Sequence, residues 1–293
     1  MAPIFVPTPE SPWPLPKLSL QIHDLDHPGV EVFLGAVRPV ELLKLAVKAS
    51  HQWLYAADKP PRKVDELLLV LRAMDGVAYA TGCGTQQQIH LSLDYVQRIS
   101  TERIKDELFG VLVHETVHCF QYNGNGSCPG GLIEGIADFV RLRAGYAPPH
   151  WKRRVIDTKW DAGYDTTAYF LDWIEDRHGA ATVCELNHCM KDAKFHKRVF
   201  RKLTGQSVRK LWGMYSAEIQ GIEFKDGEWE ETDDEETEER EMIPQGPSRG
   251  SDQVLIKLPA PVVLLTKLVH DPSKPYHPIY ITQFPQPLSA QFK

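Results

Sequence analysis

The sequence predicts an α+β protein: an N-terminal mixed sheet, a buried helix carrying a histidine pair, and a mainly helical C-terminal part. Three observations predict it. Runs of strand character, alternating or continuously apolar, fall within residues 18–95 and do not recur in the rest of the domain. The stretch from Ile104 to Phe120 is apolar on nearly every side, through Leu108, Phe109, Val111, Leu112, Val113 and Val117, which places a helix inside the protein rather than on its surface. After Ala147-Pro148-Pro149 the apolar residues recur at helical spacing. A length of 293 with 42% hydrophobic residues suffices for one sizeable core with appendages.

The elements are justified in order. Residues 1–16 hold six prolines and no basic stretch followed by an apolar one, so they read as an extended arm rather than an export signal. A cytoplasmic location is therefore expected. The folded domain is expected to span residues 17–220. In it Leu18, Leu20 and Ile22 alternate as in a strand, and Val30, Val32 and Leu34 are expected to form a second extended piece. Pro39 opens a helix with its apolar stripe at Leu42, Leu45, Ala46, Ala49 and Trp53. Residues 66–74 read as a buried strand, Asp75-Gly76 as a turn, and residues 77–81 as a short extended piece. From Gln88 to Tyr95 the pattern alternates again, with Ile89, Leu91, Leu93 and Tyr95 on one face; His90 falls on the other, as a solvated strand residue rather than a ligand. Ser100 and Thr101 stand ready to cap the helix that follows.

That helix holds His114-Glu115-Thr116-Val117-His118. Two histidines four apart lie one turn above each other and can reach a single ion, with Glu115 close enough to act on a water there. The motif alone is modest evidence: 12 His and 20 Glu would produce an HExxH by chance with a probability of roughly 0.03. The context sharpens it, because two histidines and a glutamate inside an apolar helix are costly to bury unless something satisfies them, and a metal satisfies all three. A catalytic zinc takes three protein ligands and keeps a fourth position for water. A third histidine six residues on is excluded, since position 124 is Gly.

The third ligand is sought on a second helix, begun by the Pro129-Gly130-Gly131 turn, with Leu132, Ile133, Ile136, Phe139, Val140 and Leu142 at helical spacing. Glu134 and Asp138 share a face of it. The Gly- and Asn-rich loop from Asn123 to Gly131 suits a tight reversal that returns this helix against the first. Glu134 is assigned as third ligand and Asp138 as an acceptor that orients a ligand histidine. The alternative is that one or both of these carboxylates only cap or pair with Arg141 and Arg143.

In the C-terminal part, Thr167, Phe170, Leu171 and Ile174 form one amphipathic stripe and Val208, Leu211, Trp212, Tyr215 and Ile219 another, with one or two shorter helices in residues 181–203. Five cysteines without a CxxC pair indicate neither a cysteine zinc site nor a complete disulfide framework. The net charge is −6, but residues 223–241 alone hold 12 acidic and 2 basic residues, so the rest of the chain is net positive. Residues 221–250 are expected to be an acidic, self-repelling linker, and residues 251–293 a tail whose apolar run Pro261 to Val269 falls far short of the ~20 residues that span a bilayer. No phosphate loop, dinucleotide fingerprint or basic nucleic-acid patch appears, so neither nucleic acid nor membrane is an expected partner.

The run HETVHCFQYNGNGSCPGGLIEGIADFVRLRAGYAPPHW, from His114 to Trp151, resembles the signature of the plant basic secretory proteins, also called basic secretory proteases, which have bacterial and fungal relatives. The block from Trp160 to Leu171 is similar to a second part of that family, and Ile133-Glu134-Gly135 is similar to the third-ligand helix of the gluzincins. The resemblance runs from about Lys17 to Gln220. It implies a zincin-like fold and a zinc-dependent peptidase, expected to be a monomeric endopeptidase acting on peptides or proteins. Zinc at His114, His118 and Glu134 would polarise the scissile carbonyl, Glu115 would act as general base, and Tyr164, with Tyr169 behind it, is the candidate donor to the oxyanion. In zincin-like folds the last strand before the metal helix often edges the cleft, so residues 88–95 are the candidate for pairing with an extended peptide. Two departures stand out: plant members are typically basic and secreted, whereas this chain is acidic and shows no signal peptide, which leaves release by an unconventional route as the alternative location. The rival function is a binding protein in defence or signalling that keeps the zinc fold without turnover; the intact Glu115 argues against it.

Overall fold

The computed structural model describes residues 12–155 and 159–226. The expected acidic linker beyond residue 226 and the tail from Ser251 lie outside the described residues, as do residues 1–11 of the N-terminal arm. The rest of the arm is not detached: Trp13 packs edge-on against His51 at 5.6 Å and Tyr55 at 6.3 Å, and Pro16 is buried.

A four-stranded mixed sheet forms the N-terminal half, in the order β1 (Lys17–Ile22), β2 (Glu66–Arg72), β4 (Gln86–Ser92), β3 (Ala78–Cys83). β1, β2 and β4 are parallel, which requires long crossovers, and the crossover between β1 and β2 is helical. β3 runs antiparallel to β4 through the turn at Gly84-Thr85, where Gly84 takes φ 59°.

Three local expectations are corrected. Residues 28–36 are not extended but form helix α1 (Pro28–Ala36). Pro28 supplies the first-turn φ, His27 Nδ1 accepts from the Gly29 N–H, and the buried residues Val30 and Phe33 follow a three-residue spacing that outweighs the short alternation of Val30, Val32 and Leu34. The strand expected over 88–95 stops at Ser92, whose hydroxyl accepts from Tyr95 N–H and starts the short helix α3 (Leu93–Val96). β4 lies inside the sheet, between β2 and β3, so β3 and not residues 88–95 forms the sheet edge nearest the histidine helix. Neither Ser100 nor Thr101 caps that helix: it is α4 (Ile104–Phe120), and Arg103 precedes it without a side-chain cap.

α4 is the centre of the molecule. It packs between α2 (Pro39–Leu54), β3 and α5 (Gly130–Arg143), and Leu108, Val111, Leu112 and Val117 are wholly inaccessible to solvent. Its end is fixed from outside. The Tyr55 hydroxyl donates to the carbonyl of Phe120, and Asn187 both accepts from the Tyr122 N–H at 2.9 Å and donates to the Leu54 carbonyl at 3.2 Å. The loop that leaves α4 and the end of α2 thus share one anchor, on α7 (Thr182–Cys189).

α5 packs closely on α6 (Tyr164–His178) and on the turn before it because two glycines a turn apart leave room for them. A Cβ at Gly135 would lie 2.2 Å from Thr167 Cγ2, and one at Gly131 would lie 1.9 Å from the carbonyl oxygen of Asp161. Beyond α6, the helices α7, α8 (Arg198–Thr204) and α9 (Val208–Gln220) complete a C-terminal half in which Phe170, Trp173, Trp212 and Tyr215 form an aromatic cluster. Among the described residues no helix is long and apolar enough to cross a membrane.

Candidate metal centre

The facing sides of α4 and α5 match turn by turn. Gly110, His114 and His118 follow one another up α4, and Arg141, Asp138 and Glu134 oppose them in reverse order along α5, because the Asn123–Pro129 loop turns the chain back on itself. The loop makes this reversal with Gly124, Asn125 and Gly126 all at positive φ and with its Cys128 N–H bonded to the Asn123 carbonyl.

His114 Nε2 lies 3.1 Å from His118 Nε2 and 3.2 Å from a Glu134 oxygen, and His118 Nε2 lies 3.7 Å from the other Glu134 oxygen. This buried group could hold a metal ion. Its size fits one: zinc bonds of about 2.0–2.1 Å in tetrahedral geometry would put neighbouring donor atoms about 3.3–3.4 Å apart. The chemistry fits as well. The buried carboxylates of Glu115 and Asp138 and the partly buried one of Glu134 lie close together, one oxygen of Glu115 is buried with no hydrogen-bond partner, and a divalent cation offsets such a concentration of negative charge.

Asp138 Oδ1 sits 2.6 Å from His114 Nδ1, on the side of the ring away from the centre. The carboxylate accepts the Nδ1 hydrogen and turns Nε2 inward. Of the two arginines near them in sequence, Arg141 pairs with Glu107 at 3.1 Å, and Arg143 pairs with Asp172 and Asp176, each at 2.6 Å.

Electrostatics separates the two rings. Burial alone would lower His114, but the Asp138 and Glu134 carboxylates outweigh it and raise this ring well above the ordinary histidine range. His118 goes the other way, lowered by burial and then by the charge on His114. For Glu115, burial is the main cause of a rise to about 8; the His114 charge opposes it, and the Ala80 backbone N–H donates to the carboxylate. That last contact ties the glutamate to the edge strand β3.

A family model described as peptidase of plants and bacteria matches residues 15–215, more than two thirds of the chain. The chain belongs to this peptidase family. No curated protein and no solved structure matched in the corresponding comparisons.

In this peptidase the fold brings His114, Glu115, His118, Glu134 and Asp138 to one place. Tyr164 is the first residue of α6, at φ 48°, next to Gly163 at φ 95°, and a Cβ on Gly163 would lie 4.0 Å from Glu134 Cβ. The turn is held by Thr167, whose hydroxyl accepts from Gly163 N–H at 2.9 Å and donates to the Trp160 carbonyl at 3.0 Å. Tyr169 carries the Arg153 guanidinium over its ring at 5.8 Å. His90 stacks on Tyr79 at 4.6 Å, across the β3–β4 pair.

The sequence did not point to Gln121, and it offered Arg141 only as a partner for Glu134 or Asp138. Gln121 places its amide 2.6 Å from His118 Nδ1, and Arg141, 1% exposed, fills the α4–α5 interface below His114. Gln121 had a signal, its position three residues after His118; nothing in the sequence marked the neighbours of Arg141, because Glu107 and Gly110 lie some thirty residues away.

Proposed function

We propose that this peptidase is a zinc-dependent endopeptidase with a zincin-like fold, acting as a monomer on peptide or protein chains. The observation that carries the proposal is the convergence of His114, His118 and Glu134 within 3.1–3.7 Å of one another beside the buried carboxylate of Glu115. When bound there, zinc supplies a Lewis acid that polarises the scissile carbonyl and makes a water acidic enough to attack near neutral pH.

The protein's own groups do the rest. Asp138 holds the His114 ring in place by its 2.6 Å contact. Glu115 takes the proton of the attacking water and delivers it to the leaving amine, and its burial makes it a stronger base than an exposed carboxylate. Tyr164 donates its hydroxyl to the developing oxyanion, from the turn that packs on Gly131 and Glu134. The outer edge of β3, residues 78–83, offers the backbone groups with which an extended substrate pairs.

The test is zinc stoichiometry measured together with cleavage of a peptide library blocked at both termini. One zinc per chain with internal cleavage is expected. A chain that holds zinc and cleaves nothing, with Glu115→Gln changing no measurable property, would replace this reading by that of a binding protein.

A further inference from the structure

We infer that Gln121 is a positioning residue for the metal: its side-chain oxygen accepts the Nδ1 hydrogen of His118 and thereby keeps the Nε2 lone pair of that ring aimed at the centre. The inference rests on the metal reading above and extends it to a residue outside the HExxH motif.

Gln121 is the first residue after α4 and is 4% exposed. The structure sets its Nε2 2.6 Å from His118 Nδ1 and leaves Oε1 buried with no partner. The two ends of an amide differ only in hydrogen-bond chemistry, so the choice between them has to come from the network. With the amide nitrogen toward the ring, Nδ1 must accept, and the ring hydrogen is left on Nε2, where a metal would bind. With the oxygen toward the ring, the hydrogen sits on Nδ1 and Nε2 presents its lone pair.

The metal reading decides it. A histidine that ligates through Nε2 presents that lone pair to the centre and carries its hydrogen on Nδ1. At 2.6 Å from Nδ1 the side chain of Gln121 is the group placed to receive that hydrogen, and its oxygen is the end that accepts. The two ligand rings are thus held in matching fashion, His114 by the carboxylate of Asp138 and His118 by the amide of Gln121. Turning the amide leaves its N–H groups in the buried position, a cost that a carboxylate at 121 would not carry.

The experiment compares zinc affinity, by competition with a chromophoric chelator, in the wild-type full-length chain, Gln121→Met and Gln121→Glu. Methionine fills the volume but accepts nothing useful, and affinity should fall by about 10–100-fold. Glutamate keeps the acceptor and should stay near the wild type. A residue that merely packs predicts the opposite order, since Met is tolerated in a core and a buried extra carboxylate is not. Nitrogen NMR of the metal-free wild type, labelled at histidine, reads the ring directly, independent of how any variant folds: His118 should be protonated on Nδ1. A hydrogen on His118 Nε2, or zinc affinity indifferent to Gln121→Met, overturns the inference alone. A wild-type chain that takes up no zinc overturns the metal reading and the inference with it.

Discussion

Gly110 and Arg141 occupy adjoining halves of one space. A Cβ on Gly110 would stand 2.5 Å from Arg141 Nε and 2.8 Å from its Cζ, so the guanidinium lies directly against the backbone of α4. From there Arg141 pairs with Glu107 at 3.1 Å, donates to the Tyr146 carbonyl at 3.1 Å and lies under the Trp151 ring at 5.3 Å. One buried cation therefore sets the spacing of the two helices that carry the candidate ligands, one turn below His114.

Gly110→Ala should accordingly destabilise the protein, although alanine is the better helix former by roughly 0.5–1 kcal/mol. The new methyl group must push a buried charge off its partners, and a net loss of about 1–3 kcal/mol is expected. Urea unfolding at neutral pH measures it. A variant at least as stable as the wild type would show that Arg141 can move freely and does not set the helix spacing.

Glu134→Ala should lower zinc content sharply, since it removes one of three donors. Asp138→Ala removes only the 2.6 Å contact behind His114, and a loss of about 10–100-fold in affinity is expected. Elemental analysis after dialysis at fixed free zinc separates the two. Should Asp138→Ala empty the site while Glu134→Ala leaves it filled, the two roles are reversed.

Glu115→Gln keeps length and shape but cannot accept a proton as a carboxylate does. Zinc content should be unchanged and peptide hydrolysis reduced by about 10² to 10⁴-fold. Steady-state kinetics on one internally cleaved peptide decides this, and retention of most of the rate would remove Glu115 from the mechanism.

His51 provides a pH test away from the centre. Burial lowers this ring to about 4, in an aromatic surround that includes Trp13 at 5.6 Å and Phe120 at 4.9 Å. The unfolded chain, with an ordinary pKa of about 6.5, binds a proton that the folded chain refuses between about pH 4 and 6.5, so stability rises with pH across that window and is flat in this contribution above it. His51→Phe should remove up to about 1.4 kcal/mol of slope per pH unit in the window. Denaturation of both proteins at pH 5 and pH 7.5 tests it; equal slopes would mean that His51 is protonated in the folded state.

Local pattern was enough wherever one element holds the signal by itself. His114 and His118 share a face because a helix repeats every 3.6 residues, Glu134 and Asp138 share one for the same reason, and the Gly-rich stretch between them turns back because glycine and asparagine tolerate positive φ. The limits of the match to the peptidase family, 15–215, likewise lie close to those expected from the resemblance. What the pattern could not decide depends on neighbours that are distant in sequence. Val30, Val32 and Leu34 alternate as in a strand, yet a proline and a histidine cap made residues 28–36 a helix. The hydrophobicity of β4 is the same whether it lies inside a sheet or at its edge; its place between β2 and β3 was settled by pairing, and so the strand beside Glu115 is β3. Arg141 reads in sequence as one more surface cation near a helix end, and only the packing of α5 on α4, across a glycine thirty-one residues back, buries it. Periodicity is a property of one element, whereas pairing order and buried charge are properties of the contacts between elements, and those exist only once the chain has folded.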